Sequence, residues 1–411
     1  MNVRLGVTKL VRSLVASRGL SHIAKSFWQL RHKSINRFSK RPYVVVLSMG
    51  WDGHSYSAAR GARSLGKRVL LVTDQPKLHE LLYSDALIAL DPITDTDAVI
   101  KSLEDLPLEA VVISIKHLLL PAQNAIAEYF GLTAVGPEVG VLCNDKFAWR
   151  RKLEEAGVHQ PRYSSSPKAF AGEPCVRKPK VGTGSTGVVL VGAAQDKREG
   201  LDSTDYPSVY FEEAVEGDQY DVEGFSMDGT PEILSIVHER YLLLDGEFPP
   251  HSFVFNADLP PERRALLNDS CFDTLRASKV INGAWHVEIR VRNSRAYPID
   301  FANRMGYERF MTLASGADFA ECHVNAFLPQ PVTISRKPRQ SVVQFFAWTE
   351  AECEICHRIA RDHPEHIFDQ ILKEHKIGPG LCKSMIVLKA ETSMQMRRIT
   401  AGLDLFDDQR P

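Results

Sequence analysis

The chain has 411 residues, of which 44% are hydrophobic and 25% are charged, an ordinary composition for a soluble globular protein. This length predicts two to four domains. The formal net charge of −1 gives no general reason to expect nucleic-acid binding. Seven cysteines, an odd number spread along the chain, predict reduced thiols and a cytoplasmic location. No apolar run approaches the length of a membrane span, and no secretory segment follows the first residues.

The charge is unevenly distributed along the sequence. Residues 1–41 contain ten Lys or Arg and no Asp or Glu, which leaves 40 basic against 51 acidic residues in the rest. Apolar residues repeat at helical spacing in this segment, so we predict a basic helical extension. Packing on the body of the protein or on a homodimer mate, import into an organelle, and binding to a membrane surface or a partner are the alternatives. Membrane contact is expected only through this segment.

Residues 42–138 alternate between strand and helix patterns. Apolar, β-branched runs predict strands at Tyr43–Met49, Arg68–Thr73, Ala86–Leu90 and Ala110–Ile115. Helical spacing lies between them, at Ser55–Leu65, and after the last of them, at Pro121–Phe130. Strands that alternate with helices predict a parallel, doubly wound α/β domain.

The segment Cys175–Val191, with the sequence CVRKPKVGTGSTGVVLV, predicts a β-hairpin with a glycine-rich tip. Glycine lets backbone N–H groups approach a ligand closely, and successive free N–H groups form a concave anion site. Lys178 adds a positive charge beside it. The spacing matches neither a P-loop nor a Rossmann fingerprint. The candidate contacts in the tip are Gly182, Thr183, Gly184, Ser185, Thr186 and Gly187.

A second candidate anion site lies at the start of a predicted helix over Cys143–Gly157. Asn144 is the expected N-cap. Lys146 would lie at the unfavourable, positive end of the helix dipole unless an anion binds there. This position therefore favours a ligand-binding role for Lys146.

The segment His286–Gly306 contains a candidate metal site. Glu288 and Asp300 lie in two apolar strands joined by a turn-like segment, and Mg²⁺ prefers carboxylate and phosphate oxygens. The two carboxylates share a face if they pair across the hairpin. Such pairing centres the register on Ser294, and this predicts a loop of three or five residues rather than two.

Four blocks occur in an order and at spacings that resemble the ATP-grasp superfamily, in particular its carboxylate–amine ligase and L-amino-acid ligase branch. They are Asn144–Pro161, Cys175–Val191, Tyr210–Gly224 and His286–Gly306, and the resemblance covers about Pro42 to Pro331. It implies a mixed α/β and α+β architecture with a glycine-loop lid. The implied divisions are a basic extension at 1–41, a parallel doubly wound domain at 42–138, a β-rich lid at 139–210, a larger α+β catalytic part at 211–331 and a C-terminal α+β part at 332–411.

The resemblance also implies an activity. An ATP-dependent ligase of this type joins a carboxylate to an amine through an acyl phosphate, and it releases ADP and phosphate. ATP and Mg²⁺ are the implied cofactors, with Mn²⁺ as an alternative metal, and amino acids are the expected small-molecule substrates. The alternatives are another acyl-phosphate or carboxyphosphate enzyme, or a non-catalytic ATP-binding regulatory or scaffold protein. The absence of a Met-Lys-Met motif counts against a biotin-dependent carboxylase.

Positions that match the family pattern carry implied roles in nucleotide binding. The lysines would contact the ATP phosphates, and the lid-to-domain linker would pair with adenine. The family's ribose-binding Glu is replaced by a Gln, which can still hydrogen-bond a hydroxyl. The residues are Lys146 and Lys178 for phosphate, Glu212, Glu213, Ala214 and Val215 for adenine, and Gln219 for ribose.

The implied metal and catalytic positions depart from the family pattern at one point. The family's metal-binding Asn is replaced by Ala302, so the third metal ligand after Glu288 and Asp300 would be Asn303, if a bulge turns it toward the site. Arg304 would stabilise the reacting acyl group. On the strand of Glu288, His286 and Arg290 share its face and would hold the substrate carboxylate or act as charge partners.

One further motif is ambiguous. Cys353-Glu354-Ile355-Cys356-His357 matches a c-type haem attachment pattern. It also fits one turn of a helix over Glu350–Asp362 with buried thiols, and a zinc site is a third alternative. The sequence favours the helical interpretation.

Overall fold

The computed structural model describes residues 41–50, 55–170, 172–182, 184–192, 208–244, 246–256, 258–377, 380–403 and 405. The predicted extension at 1–41, apart from its last residue, and the loop residue Thr183 lie outside the described residues. The chain divides into two compact units. One runs to Pro137 and includes Ala320–Thr333, and the other contains Glu138–Phe319 and the residues from Ile334.

The first unit is built on a parallel sheet, as predicted. Its strands are β1 (Tyr43–Leu47), β2 (Arg68–Val72), β3 (Ala86–Ile88) and β4 (Leu108–Ile113), in the order β3-β2-β1-β4. Its helices include α1 (Ser57–Ser64), α2 (Leu78–Leu81), α3 (Thr96–Leu103) and α4 (Leu120–Phe130), with a 3₁₀ turn at His117–Leu119. All five residues of β1 are fully buried, as its run of valines requires for a central parallel strand.

The second unit begins with two helices and a small antiparallel sheet. The helices are α5 (Val139–Asn144) and α6 (Lys146–Glu155). The sheet has the order β5-β8-β6-β7, with β5 (Tyr163–Ser164), β6 (Cys175–Pro179), β7 (Val189–Val191) and β8 (Val209–Glu213). Strands β6 and β7 form the predicted hairpin, with Cys175 opposite Val191.

The predicted N-cap of α6 was wrong. Asn144 is the last residue of α5, and Asp145 caps α6 by accepting hydrogen bonds from the backbone N–H groups of Phe147 and Ala148 at 3.0 and 2.9 Å. The predicted single helix is interrupted here and forms two short helices, and Asp145 between them lies in the extended conformation that a cap requires.

An eight-stranded antiparallel sheet forms the centre of the second unit, in the order β13-β12-β9-β10-β11-β14-β18-β15. The strands are β9 (Asp218–Met227), β10 (Thr230–Tyr241), β11 (Pro250–Phe255), β12 (Gly283–Arg292), β13 (Arg295–Ala302), β14 (Ser341–Ala347), β15 (Ile367–Ile371) and β18 (Ser384–Ala390), with a separate hairpin of β16 (His375–Ile377) and β17 (Gly380–Cys382). Among the described residues, the other helices of this unit are α7 (Pro261–Ala277), α8 (Glu308–Ser315), α10 (Glu350–Asp362) and α11 (Ser393–Ile399), whereas α9 (Phe319–Asn325) belongs to the first unit apart from Phe319.

The β12–β13 hairpin has the predicted carboxylate pairing but not the predicted loop. Glu288 lies opposite Asp300, whereas Arg292 pairs with Arg295 and leaves a two-residue turn. Asn293 and Ser294 both have positive φ, at 50° and 58°, as a type I′ turn requires. A β-bulge shifts the register between the turn and Glu288, so the short turn and the carboxylate pairing are compatible.

The helix predicted around the Cys-x-x-Cys-His motif is present as α10. Thr349 caps it through the N–H of Glu352, and Cys356 is fully buried in the core formed with β14 and β18. All seven cysteines are free thiols. None of the helices in the described part of the chain is long and apolar enough to cross a membrane.

We predict that Gly61→Ala destabilises the protein, although alanine is the better helix former. A β-carbon at Gly61 would lie 2.6 Å from the carbonyl carbon and oxygen of Ala320, where backbone cannot move aside easily. Overpacking costs about 1–3 kcal/mol, and the helix-propensity gain is at most about 1 kcal/mol. Urea unfolding should show a lower midpoint, whereas Ser64→Ala in the same helix should change stability by less than about 0.5 kcal/mol. Unchanged stability of Gly61→Ala would contradict the packing.

Candidate functional site

A cavity of about 500 Å³ in the second unit collects most of the predicted site residues. The glycine loop, the linker after β8 and the adjoining strands β9, β12 and β13 contribute its walls. The predicted residues that line it are Lys146, Lys178, Gly182, Gly184, Ser185, Thr186, Glu212, Glu213, Ala214, Val215, Gln219, Glu288, Arg290 and Asp300. Tyr241, Leu243 and Phe248 add an apolar wall that the sequence did not indicate. The cavity lining does not include the predicted residues Gly187, His286, Asn303 and Arg304.

The two predicted phosphate lysines approach the same strand from different elements. Lys146, at the first turn of α6, forms an ion pair with Asp300. Lys178, on β6, donates to the carbonyl of Ile299 at 2.9 Å and forms an ion pair with Glu212. Burial lowers the pKa of Lys178, and the charge of Glu212 offsets part of that effect. Two positive groups therefore border the cavity beside the glycine loop.

Arg150 is a buried cation that sequence reasoning missed. It donates to Glu212 from Nη2 at 2.6 Å and from Nε at 2.9 Å, and both side chains are at most 2% exposed. Burial alone would raise the pKa of Glu212, but the charges of Arg150 and Lys178 outweigh it and hold that pKa below its usual value. The signal was present in the sequence, since Arg150 lies one helical turn after Lys146 and on the same face.

The linker after β8 is held by hydrogen bonds to its backbone and side chains. The N–H of Glu213 donates to the carbonyl of Arg162 at 2.8 Å, and the carbonyl of Val215 accepts from Nη1 of Arg290 at 3.1 Å. The carboxylate of Glu213 accepts from Arg292 at 2.7 Å. The linker is thus a fixed, extended wall of the cavity, suited to the edge of a planar ring.

Three acidic residues lie opposite one another across three neighbouring strands. Asp300 on β13 faces Glu288 on β12, which faces Asp221 on β9. Burial and the charge of Asp300 raise the pKa of Glu288, and burial and the charge of Glu288 raise the pKa of Asp221. Burial also acts to raise the pKa of Asp300, but Lys146 and Lys178 outweigh it and hold that pKa below its usual value.

The structure corrects the prediction that Asn303 is a metal ligand. Its Nδ2 donates to the carbonyls of Ala284 at 2.7 Å and Asn282 at 3.4 Å, so its amide is directed at the backbone near the start of β12. Asn303 is 1% exposed and does not line the cavity. The bulge that the prediction required lies earlier in β13, between Asp300 and Pro298, and it re-aims Asp300 rather than Asn303.

Gln219 lines the cavity as predicted, but its amide is committed to protein partners. Its Nε2 donates to Glu239 at 3.0 Å and to Glu288 at 3.3 Å, and its Oε1 accepts from Nε of Arg290 at 3.1 Å. The neighbouring Asp218 pairs with Arg263 at 3.0 Å and does not line the cavity.

The three predicted catalytic residues lie in different surroundings. Arg290 lines the cavity and braces the linker. His286 is 5% exposed, and its Nδ1 lies 3.3 Å from Oδ2 of Asp221. Burial and the neighbouring Arg304 lower the pKa of His286 to about 4. Arg304 donates to the carbonyl of Met305 at 2.9 Å, beside the cavity rather than in its wall.

Sequence reasoning also missed a set of buried acids next to Glu288. Glu223 is fully buried and accepts from the N–H groups of Gly306 and Tyr307, each at 3.3 Å. Glu239 is 3% exposed and accepts from the hydroxyl of Tyr307 at 3.0 Å. Polar residues at every second position of β9 were the available signal, because alternate residues of a strand share a face. They are Gln219, Asp221 and Glu223.

A divalent cation fits the two carboxylates at the cavity wall. Glu288 and Asp300 both line the cavity and share a sheet face, and their oxygens are the donor type that Mg²⁺ prefers. In the described residues, no group of three or more His, Cys, Asp or Glu side chains is arranged to hold a metal ion. A metal bound here would therefore complete its coordination with ligand oxygens such as phosphates.

Comparisons with known proteins agree with this geometry. Residues 171–310 match the family model of the ATP-grasp domain. The uncharacterized protein y4rH of Sinorhizobium fredii (strain NBRC 101917 / NGR234) is 26% identical over 329 residues, which are 72% of this chain and 66% of that protein. This chain therefore matches slightly less than two thirds of that relative's length.

Two solved structures share the fold at low sequence identity. The L-amino acid ligase from Bacillus licheniformis has a TM-score of 0.67 at 16% identity, and the match covers 89% of this chain and 98% of that one. The N5-carboxyaminoimidazole synthetase from Staphylococcus aureus, complexed with ADP, has a TM-score of 0.66 at 14% identity, with the same two coverages of 89% and 98%.

We predict that Glu223→Gln flattens the pH dependence of stability. Burial and the charge of Asp221 raise the pKa of Glu223 to about 8. Between pH 5 and 8 the folded protein keeps a proton that the unfolded chain has released, so this residue makes stability fall as pH rises, by up to about 1.4 kcal/mol per pH unit. Urea unfolding in EDTA should show a smaller decrease for Glu223→Gln than for wild type.

The control for this measurement is Glu232→Gln, at a residue whose side chain is 45% exposed. This variant should keep the wild-type slope. If Glu223→Gln also keeps that slope, Glu223 does not hold its proton in the folded protein.

Proposed function

We propose that this protein is an ATP-dependent ligase that joins a carboxylate to an amine. The match to the ATP-grasp domain and the shared ATP-grasp fold support this proposal. The observation that carries the proposal is the convergence of two lysines, two acids and a glycine loop on one cavity. An acyl-phosphate reaction needs positive charge for the phosphates and carboxylates for a metal, and both are present in this cavity.

The lysines and the glycine loop would bind the phosphates. Lys146 and Lys178 lie on separate elements, so they would contact a polyphosphate from two sides. Gly182 and Gly184 would let the loop backbone approach the same oxygens, and Gly184 has the positive φ of 64° that favours glycine. The ion pair of Lys146 with Asp300 shows that the lysine reaches the proposed metal ligand.

The linker would hold the base of the nucleotide. Glu213, Ala214 and Val215 form an extended wall, and Leu243 and Phe248 line the same cavity. Extended backbone presents alternating N–H and C=O groups, which match the edge of a purine, and apolar side chains cover its faces. Arg150 and Lys178 fix the carboxylate of Glu212 at the start of this wall.

Glu288 and Asp300 would hold Mg²⁺ or Mn²⁺. A metal bound there would neutralise phosphate charge and orient the terminal phosphoryl group. The surrounding side chains then keep both carboxylates in place. Gln219 donates to Glu288, while Lys146 pairs with Asp300.

The proposed chemistry has two displacements. An oxygen of the substrate carboxylate attacks the γ-phosphorus, and the bond to the β-phosphate oxygen breaks, which gives an acyl phosphate and ADP. The amine nitrogen then attacks the acyl carbon, loses a proton and expels phosphate, which leaves an amide. Arg290, which lines the cavity, and Arg304, which lies beside the row of acids, are the groups proposed to meet the substrate carboxylate and the negative charge on the acyl oxygen. The similarity to an L-amino acid ligase supports amino acids as substrates.

We predict that the purified protein releases ADP when ATP, Mg²⁺ and pooled amino acids are supplied together. Glu288→Gln should lower the rate of release by about 100-fold or more, since it removes a charged group that acts on the transferring phosphate. Glu262→Gln, at an exposed position on α7, should retain the wild-type rate. Coupled-enzyme detection of ADP measures all three proteins.

The same experiment separates the ligase from a non-catalytic nucleotide-binding protein. Replacement of the family's metal-binding Asn by Ala302, together with the diversion of Asn303, is the observation that favours this second candidate. Tight ATP binding without ADP release from any pool would support it and overturn the ligase. Failure to bind ATP would overturn both.

A further inference from the structure

Gln219 lies in a chain of hydrogen bonds that begins on the linker and ends on Glu288. The carbonyl of Val215 accepts from Nη1 of Arg290 at 3.1 Å, and Nε of Arg290 donates to Oε1 of Gln219 at 3.1 Å. Nε2 of Gln219 then donates to Oε2 of Glu288 at 3.3 Å. The proposed adenine wall and the proposed metal ligand are therefore joined by two side chains.

Glu239 fixes the other donor of the same amide. Oε2 of Glu239 accepts from Nε2 of Gln219 at 3.0 Å, and its two oxygens also accept from the hydroxyls of Tyr241 at 3.2 Å and Tyr307 at 3.0 Å. Gln219 and Glu239 face each other as a cross-strand pair and are 6% and 3% exposed. A buried carboxylate with three donors is a rigid anchor, so the rotamer of Gln219 is fixed.

The chemistry of residue 219 matches an amide and no other side chain. Its NH₂ group faces two carboxylates, and its oxygen faces a guanidinium. A carboxylate at this position would place a third acid about 3 Å from Glu239 and Glu288, where like charges repel strongly. A hydroxyl would lack the second donor.

We infer that Gln219 is a positioning residue that holds Glu288 in a fixed relation to the linker, and that it does not contact the sugar of the nucleotide. The inference rests on the proposed nucleotide site and makes the role of one residue in it specific. Both donors of the amide are already used by the protein, so a ribose hydroxyl could accept from Gln219 only if a bond to Glu239 or Glu288 were broken. A hydroxyl that donated to Oε1 would have to share that atom with Nε of Arg290.

The two roles make opposite predictions for nucleotide binding. A positioning residue acts through Glu288, so its loss weakens binding only when Mg²⁺ is present, and it does so equally for ribose and deoxyribose nucleotides. A sugar ligand acts without the metal, and its loss weakens ATP but not the deoxynucleotide that lacks the contacted hydroxyl.

The test uses isothermal titration calorimetry on full-length wild type and on Gln219→Met. Each protein is titrated with ATP, 2′-deoxyATP and 3′-deoxyATP, in Mg²⁺ and in EDTA. Methionine keeps the length of the side chain and removes every hydrogen bond. The factor by which Mg²⁺ tightens ATP binding should fall about tenfold in Gln219→Met, the effect of losing a hydrogen bond to a charged group. The affinity in EDTA and the ratios between the three nucleotides should stay unchanged.

Asp218→Asn is the matched control, because Asp218 is the adjacent residue and is paired with Arg263 away from the cavity. It should bind all three nucleotides as wild type does in both solutions. Loss of ATP affinity in EDTA by Gln219→Met, with a collapse of the ATP-to-deoxyATP ratio, would overturn the positioning role while leaving the nucleotide site intact. If wild type binds no ATP, the proposed function fails and this inference with it.

A second apolar variant covers the case in which Gln219→Met fails to fold. Gln219→Leu removes the same hydrogen bonds with a shorter side chain, so it should lower the Mg²⁺ effect about tenfold and leave the affinity in EDTA unchanged. An unchanged Mg²⁺ effect in Gln219→Leu would overturn the positioning role.

Discussion

One extra residue in β13 decides which face of the sheet Asp300 occupies. The two-residue turn at Asn293–Ser294, continued without interruption, would place Ile299 opposite Glu288 and turn Asp300 to the face of Val287. Val287 is fully buried in the core, so an unbulged hairpin would put a carboxylate into apolar packing. The bulge moves Asp300 to the cavity, and the proposed metal site depends on this shift.

The same bulge provides acceptors for the buried cations. Ladder hydrogen bonds are disrupted at a bulge, and its carbonyls need other partners. Nη1 of Arg150 donates to the carbonyl of Pro298 at 2.7 Å, and Lys178 donates to the carbonyl of Ile299 at 2.9 Å. Pro298 has no N–H to lose, and β13 is an edge strand, where proline is tolerated. The geometry of Asp300 and the binding of the two cations thus stabilise each other.

The sequence was sufficient for the features that depend on periodicity and on local chemistry. Alternation and helical spacing predicted the parallel sheet of the first unit, the β6–β7 hairpin and the limits of α10. It was insufficient where long-range packing decided the outcome. A bulge has no fixed residue signature, so the loop length before Asp300 was predicted wrongly although its pairing with Glu288 was correct. Likewise, the family resemblance implied a sugar contact for Gln219, and the sequence did not reveal its partners Glu239 and Arg290 because they are distant in sequence.

The distribution of charge within the site connects its stability to its proposed ligand. Beside the small antiparallel sheet, Arg150 and Lys178 compensate Glu212 and leave its pKa low. Deeper in the sheet, Asp221 and Glu239 have pKa values raised by burial and by neighbouring acids, so keeping them ionised weakens the protein without a ligand. A cation that binds beside these acids binds only the folded state, and the repulsion that it relieves adds to its binding affinity. The residues that destabilise the protein without a ligand are therefore those that favour a metal-bound nucleotide. Substitution of a buried acid by its amide is expected to raise the stability of the protein and to lower its affinity for the ligand.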